Sequence, residues 1–178
     1  MLSLQSNDFE LFELPEQFAQ ARAAIDARWK DLQREAHPDK FAAQGAAAQR
    51  VAMQWSVRIN EAYQRLKDPL KRAAYLCELH GAPVNAESNT AMPANFLAQQ
   101  MEWRELLDEA HTGPQLDRLQ AMVRDARDSK LAGCQQQLDC AHDYAQAAQT
   151  VRALMFIERF AADVDARFDR MDAVSRGQ

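Results

Sequence analysis

A proline at the centre of a histidine–proline–aspartate tripeptide constrains this chain more than any other feature. His37-Pro38-Asp39 lies between two segments whose apolar residues recur at helical spacing. Proline lacks an amide donor and disfavours helical geometry in the residue before it, so the first helix must end near Ala36 or His37. The sequence therefore predicts a helical hairpin whose loop presents an imidazole and a carboxylate. This loop brings no nucleophile, metal cluster or oxyanion donor with it, which favours docking over catalysis.

Each flanking helix carries one apolar stripe that we predict to be buried. In the helix from about Gln20 to Ala36, the stripe is Ala21, Ile25, Trp29, Leu32 and Ala36. In the helix from about Ala47 to Lys67, the stripe is Ala48, Ala52, Trp55, Ile59, Ala62 and Leu66. The matching spacing predicts that the two helices pack antiparallel across the loop.

Cations lie on the other side of the first of these helices. Lys30 and Arg34 are four residues apart, and Arg28 lies on the flank. Charged residues on a helix are often only a solvated face. Here they lead directly into the His37-Pro38-Asp39 loop, and we therefore take them as candidate binding residues.

The remaining segments also read as helices, and the fold class that we predict is all-α. A short apolar segment precedes Pro15, and a fourth helix runs from Pro69 to about His80, capped by Asp68 and stopped at Gly81. Three further helices are predicted to form an antiparallel bundle; they span about Ala94–His111, Pro114–Cys140 and Asp143–Met171, with Asp143 and Gln146 as a capping-box variant. The predicted domains are residues 1–80, a linker of residues 81–93 that contains two prolines, and a C-terminal bundle of residues 94–178.

Composition excludes several classes of function. The formal net charge of −5 argues against a nucleic-acid-binding protein. No apolar run has the length of a membrane span, and the first ten residues lack the pattern of a secretory signal, so we expect a cytoplasmic protein. The three cysteines Cys77, Cys134 and Cys140 are irregularly spaced, and we expect reduced thiols with no metal and no cofactor.

The helix from Ala94 carries a second candidate site. Its core stripe is Phe96, Trp103, Leu107 and Ala110. Leu97 and Met101 lie about 100° or more away from that stripe, and three carboxylates, Glu102, Glu105 and Glu109, continue around the same outer side.

The last helix contributes one more residue to this prediction. Its core stripe is Leu154, Ile157, Ala161, Val164 and Phe168. Phe156 points nearly the opposite way, and if the two helices are neighbours it would join Leu97 and Met101 in an apolar patch with an acidic rim. Such a patch suits recognition of a partner protein, although scattered surface hydrophobes or a second core face would give the same pattern.

The N-terminal part, from about Asp8 to His80, resembles the J-domain of the DnaJ family. The His37-Pro38-Asp39 loop, the basic helix before it and the Lys71-Arg72-Ala73-Ala74-Tyr75 run occur in the order expected for that family. The resemblance implies that His37, Pro38 and Asp39 contact a DnaK-like chaperone and stimulate its ATPase. It also implies that Arg28, Lys30 and Arg34 steer the loop toward an acidic groove, and that Asp39 bonds to a chaperone arginine.

The whole chain through about Met171 is similar, more specifically, to the J-type co-chaperones of bacterial iron–sulfur cluster biogenesis. The segments that carry this similarity are Phe9–Pro15, His37–Ala42, Ile59–Tyr63, Leu76–Gly81, Glu102–Glu109 and Thr150–Arg152. The resemblance implies an IscU-like scaffold as client and a specialised HscA-like chaperone as partner. It places the scaffold-binding residues on Leu97, Met101, Glu102, Glu105, Glu109 and Phe156. Where this family often has a methionine, the chain has Ala98, a change expected to weaken the contact by about 1 kcal/mol.

These observations predict a co-chaperone that is not itself an enzyme, with a monomer favoured. A general J-protein that serves another client is the alternative. A metal or cluster carrier that uses the three cysteines, and an enzyme that uses His37 and Asp39 as an acid–base pair, are less favoured alternatives.

Overall fold

The structure, a computed structural model, describes residues 5–85 and 93–176. Within these ranges the chain is helical and forms no strand. The α-helices are α1 (Asp8–Phe12), α2 (Arg22–Glu35), α3 (Ala46–Lys67), α4 (Pro69–Leu79), α5 (Ala94–Asp108), α6 (Gly113–Gln135) and α7 (Tyr144–Arg176). A 3₁₀ helix spans Pro38–Gln44 and a π-helix spans Gln136–Ala141. Part of the predicted linker, and the first four residues of the segment searched for a signal, lie outside the described residues.

The chain divides into two compact units, Met1–Leu76 and Cys77–Gln178, and the division falls within α4. In the first unit α2 and α3 pack antiparallel, as predicted. Arg22, near the start of α2, reaches Tyr63 near the end of α3, whereas the carbonyl of Ala36 accepts a bond from Ser56. The rings of Trp29 and Tyr63 stack with centroids 4.7 Å apart.

The predicted apolar stripes form most of the core of the first unit. Ile25 and Leu32 of α2 are buried, and so are Ala52, Ile59, Ala62 and Leu66 of α3. Ala21 was predicted to be part of the stripe and is exposed, because it precedes the first turn of α2 as its N-cap residue. The short helix α1 buries Phe9, Leu11 and Phe12 against this core.

Several helix ends confirm the sequence signals. The Asp68 carboxylate accepts the amide of Leu70 at 2.9 Å at the start of α4. Gly81 follows the end of α4 with a φ of +75°, a left-handed conformation that costs glycine little. The Asp143 carboxylate accepts the amide of Gln146 at 3.0 Å, which is one half of the predicted capping box.

In the second unit α6 and α7 are antiparallel. Gln120 donates to Asp165 at 2.9 Å, and Arg127, two turns later in α6, pairs with Glu158, two turns earlier in α7. Helix α5 contributes Trp103, whose ring lies 5.3 Å from that of Phe160. The core formed in this way consists of Trp103, Ala110, Leu116, Leu119, Val123, Ile157, Phe160 and Val164.

The structure differs from the sequence prediction at two helix ends, in length at α5 and in helix type after α6. Helix α5 ends at Asp108 rather than His111, and the guanidinium of Arg167 lies 3.5 Å from the carbonyl of Ala110 just beyond. The helical stretch that begins with α6 continues to Ala141, close to the predicted end at Cys140, but its last six residues are π-helical rather than α-helical. The π-helix ends at Ala141. The C-cap residue His142 has a left-handed backbone conformation, and the amide of Asp143 donates to the carbonyl of Gln137 at 2.9 Å.

The start of α6 gives a first prediction. The side-chain oxygen of Gln115 accepts the amides of His111 and Thr112, at 2.9 and 3.0 Å. We expect Gln115→Ala to cost about 1 kcal/mol, because these donors lose their acceptor. Thermal unfolding measures the loss, and faster hydrogen exchange at the two amides locates it. Arg118→Ala on the same helix is the control, and an equal effect of both variants would contradict the prediction.

Candidate functional site

The His37-Pro38-Asp39 loop is built as the first turn of the 3₁₀ helix. The His37 Nδ1 atom accepts the Asp39 amide at 3.3 Å, and His37 is the N-cap residue. The Asp39 carboxylate is 91% exposed and lies 3.6 Å from the same ring nitrogen. Within the described residues it caps no backbone amide. The ring and the carboxylate therefore remain available to a partner.

Polar contacts between α2 and α3 hold this loop in place. Gln33 and Trp29 both donate to the side-chain oxygen of Asn60, at 2.8 and 3.0 Å. The Ser56 hydroxyl donates to the carbonyl of Ala36, immediately before His37. Sequence reasoning assigned no role to Gln33, Ser56 or Asn60. The signal available was that each lies beside an apolar stripe, where it reaches the facing helix.

The three candidate cations of α2 differ in their surroundings. Lys30 is exposed and forms no ion pair with any described residue. Arg34 is exposed and lies 3.3 Å from Asp31 of the same helix. Arg28 is mostly buried and lies 2.9 Å from Glu13, in the turn after α1. The positive charge available near the loop therefore comes mainly from Lys30 and Arg34.

The outer side of α5 matches the predicted patch in part. Leu97 and Met101 are 47% and 65% exposed, and Ala98 beside them is also exposed. Glu102 and Glu105 are exposed on the helix, and Glu109 is exposed as its C-cap residue. Two large apolar side chains thus lie in solvent beside three carboxylates.

The predicted orientation of Phe156 is wrong. Its ring is half-buried and meets that of Phe96 edge-on at 5.6 Å, while Phe160 lies 6.2 Å away. Helix α7 packs against α5 as well as α6, so it buries more than the one stripe assigned to it. The Phe156 ring therefore packs against the inner side of α5, and only part of its surface is exposed.

The cysteines differ in exposure and acidity. Cys77 and Cys134 are buried, and burial raises the pKa of Cys77 to about 11 and that of Cys134 to about 12. Cys140 is exposed. Among the described residues, no group of three histidine, cysteine or acidic side chains is placed to hold a metal ion.

Comparison with known proteins adds the family. Residues 92–165 match the model of the HSCB C-terminal oligomerisation domain. The co-chaperone protein HscB homolog of Burkholderia multivorans is 49% identical over 175 residues, which cover 97% of this chain and 99% of the relative. The chain belongs to the HscB co-chaperone family. The homologue of Burkholderia cenocepacia is 48% identical over the same length.

Solved HscB structures share the fold. Chaperone HscB from Vibrio cholerae superposes with a TM-score of 0.80 at 34% identity, covering 93% of this chain and 99% of that one. The human co-chaperone HscB superposes with a TM-score of 0.87 over 93% of this chain and 84% of that one; at 22% identity it supports the fold alone. The architecture is thus the HscB one, a J-domain followed by a C-terminal helical domain. No helix within the described residues has the length and apolar character to cross a membrane.

Proposed function

We propose that this HscB-family protein is a bivalent cytoplasmic adaptor in iron–sulfur cluster biogenesis. Its J-domain, taken as residues 1–80, engages an HscA-like chaperone through His37, Pro38 and Asp39. Its C-terminal bundle, residues 94–178, holds an IscU-like scaffold through Leu97, Met101, Glu102, Glu105, Glu109 and Phe156. Residues 81–93 link the two parts, and the adaptor acts as a monomer without a metal or cofactor of its own.

The observation that carries the proposal is the presentation of His37 and Asp39. A nearly fully exposed carboxylate lies next to an exposed imidazole that caps the 3₁₀ helix, and both are held on the hairpin of α2 and α3. An exposed carboxylate of this kind is suited to a charge-assisted hydrogen bond with an arginine of the partner. Lys30 and Arg34, on the helix that leads to the loop, favour approach to an acidic surface.

Tethering supplies the mechanism. A scaffold held on the C-terminal bundle is present at high effective concentration when the J-domain reaches the chaperone. Binding of both partners then favours the chaperone conformation that hydrolyses ATP and holds its client tightly. ATP hydrolysis takes place in the chaperone, and this chain catalyses no step.

The deciding experiment is ATP turnover by the HscA-like chaperone. We compare no addition, this protein alone, the scaffold alone, and both together. Strong stimulation only with both supports the adaptor. Equal stimulation with and without the scaffold would favour a general J-protein that serves another client, and no stimulation in any mixture would contradict the co-chaperone proposal.

The exposed apolar pair gives a prediction for scaffold binding. We expect the double variant Leu97→Ala, Met101→Ala to weaken scaffold binding about 10- to 100-fold, since two interface side chains lose their contact area. The fold should persist because both side chains lie in solvent. Calorimetric titration measures the affinity, and Met122→Ala, at another exposed methionine of this unit, is the control.

The cations of α2 give a further prediction. We expect Lys30→Gln to slow association with the chaperone about two- to tenfold at low salt, and the difference should shrink as salt screens the charge. Arg28→Gln should change the rate less, because Glu13 already offsets its charge. Stopped-flow association measures both variants. A larger effect of Arg28→Gln would contradict the assignment of steering to Lys30.

A further inference from the structure

A polar cleft opens between the first turns of α5, the first turns of α7 and the last turns of α6. It encloses about 380 Å³. Side chains that line it include Asn95, Phe96, Gln99, Lys130, Gln146 and Gln149. Gln99 lies about 160° around α5 from Leu97, taking 100° per residue, so the cleft is on a different flank from the proposed scaffold-binding pair.

The cleft carries a single positive charge. Lys130 is the one charged residue among the described residues that line it. Its ammonium group lies 5.9 Å from the centre of the Phe96 ring and forms no ion pair with a described residue. A single positive charge beside an aromatic ring matches a singly charged anion such as a carboxylate better than a phosphate, which carries about −1.5 to −2.

The amide side chains of the cleft are suited to binding a peptide backbone. The side chains of Gln99, Gln146 and Gln149 make no hydrogen bond to another described residue, so each offers both a donor and an acceptor. The Thr150 hydroxyl donates to the carbonyl of Gln146, which leaves its oxygen as an acceptor facing the cleft. Alternating donors and acceptors are what a peptide backbone requires.

We propose that this cleft is a second binding site, for a carboxylate-bearing peptide segment. The carboxylate lies at Lys130, and the backbone amides of the segment bond to Gln99 and Gln149. The volume, near the lower end for ligand sites, fits two or three residues. The cleft adjoins the proposed scaffold surface only through Phe96, whose ring meets that of Phe156, and the proposal does not rest on scaffold binding.

The test is an NMR titration of the full isotope-labelled chain with three tripeptides. Acetyl-Ala-Glu-Ala-amide carries a side-chain carboxylate, acetyl-Ala-Ala-Ala carries a terminal one, and acetyl-Ala-Gln-Ala-amide carries none. We expect saturable shifts at the amides that line the cleft with at least one of the first two, and binding about tenfold weaker with the third. Comparison of the first two identifies the source of the carboxylate.

Variants decide the role of the lysine. Lys130→Gln should weaken binding of the carboxylate peptide about tenfold, whereas Arg124→Gln, at an exposed cation of α6 outside the cleft, should leave it unchanged. The spectrum of each variant reports whether the fold is intact. Absence of saturable shifts, equal binding by wild type and Lys130→Gln, or equal shifts with inorganic phosphate would overturn the proposal.

Discussion

Replacement of His37 with glutamine is expected to abolish stimulation of the chaperone's ATPase and to leave the fold and scaffold binding unchanged. The ring of His37 caps the 3₁₀ helix through its bond to the Asp39 amide, and it lies 3.6 Å from the Asp39 carboxylate. Glutamine has a flexible side chain, so both the exposed ring and the fixed position of Asp39 are lost. Loss of an interface hot spot of about 2 kcal/mol corresponds to about 30-fold weaker binding, so stimulation is lost at concentrations at which the wild-type protein just saturates the chaperone.

The measurement is steady-state ATP hydrolysis with saturating scaffold, over a range of concentrations of the variant. His111→Gln is the matched control, because it makes the same change at an exposed histidine of the other unit. It should stimulate as wild type does. Calorimetric titration of the variant with the scaffold shows whether the proposed scaffold-binding surface is intact. Full stimulation by His37→Gln would remove the loop from the proposed mechanism.

The helical hairpin could be predicted because local rules determine it. Pro38 forces the end of α2, the stripes of α2 and α3 have the same period, and Asp68 and Gly81 mark the ends of α4. Each of these signals acts within a few residues along the chain. The exposure of Leu97 and Met101 followed in the same way, from the position of a single stripe on α5.

The errors arise where more than one neighbour determines a residue's surroundings. Phe156 was predicted to point outward because α7 was given one buried stripe, but α7 also packs against α5. The π-helix after α6 depends on backbone hydrogen bonds around His142 that no sequence pattern predicts. Arg28 was grouped with the candidate binding cations, and its ion pair with Glu13 was not predicted because Glu13 lies in a turn before α2. Such contacts are non-local, and periodicity does not encode them.

Asp8 is the clearest residue of this kind. It was assigned no role beyond marking the start of the J-domain resemblance, yet its side chain is fully buried in the first unit. Its carboxylate lies 2.7 Å from the guanidinium of Arg58 and 3.3 Å from that of Arg65. These two arginines are seven residues apart and therefore lie on the same face of α3. Its amide donates to the Tyr75 hydroxyl at 3.0 Å, and burial raises the pKa of that hydroxyl. Arg58 also donates to the carbonyl of Ser6, so the network ties the N-terminal segment to α3 and α4.

Removal of this carboxylate is expected to have the largest effect on stability. Asp8→Ala should lower the free energy of unfolding of the first unit by about 3–5 kcal/mol, because two guanidinium groups lose the buried partner that offsets their desolvation. Asp8→Asn keeps the shape and some hydrogen bonding but not the charge, and should fall between wild type and Asp8→Ala. The order of the three proteins distinguishes loss of charge from loss of packing.

Denaturant unfolding followed by tryptophan fluorescence measures this loss in the first unit alone if every protein also carries Trp103→Phe. Trp29 and Trp55, which lie in α2 and α3, are then the remaining tryptophans, and both belong to that unit. Asp117→Ala, at an exposed aspartate of the other unit, should leave the transition within about 0.5 kcal/mol. A loss below about 1 kcal/mol for Asp8→Ala would mean that water solvates the two arginines in the variant, so that their ion pairs contribute no more than surface ion pairs do. The network would then not be what holds α1 in place.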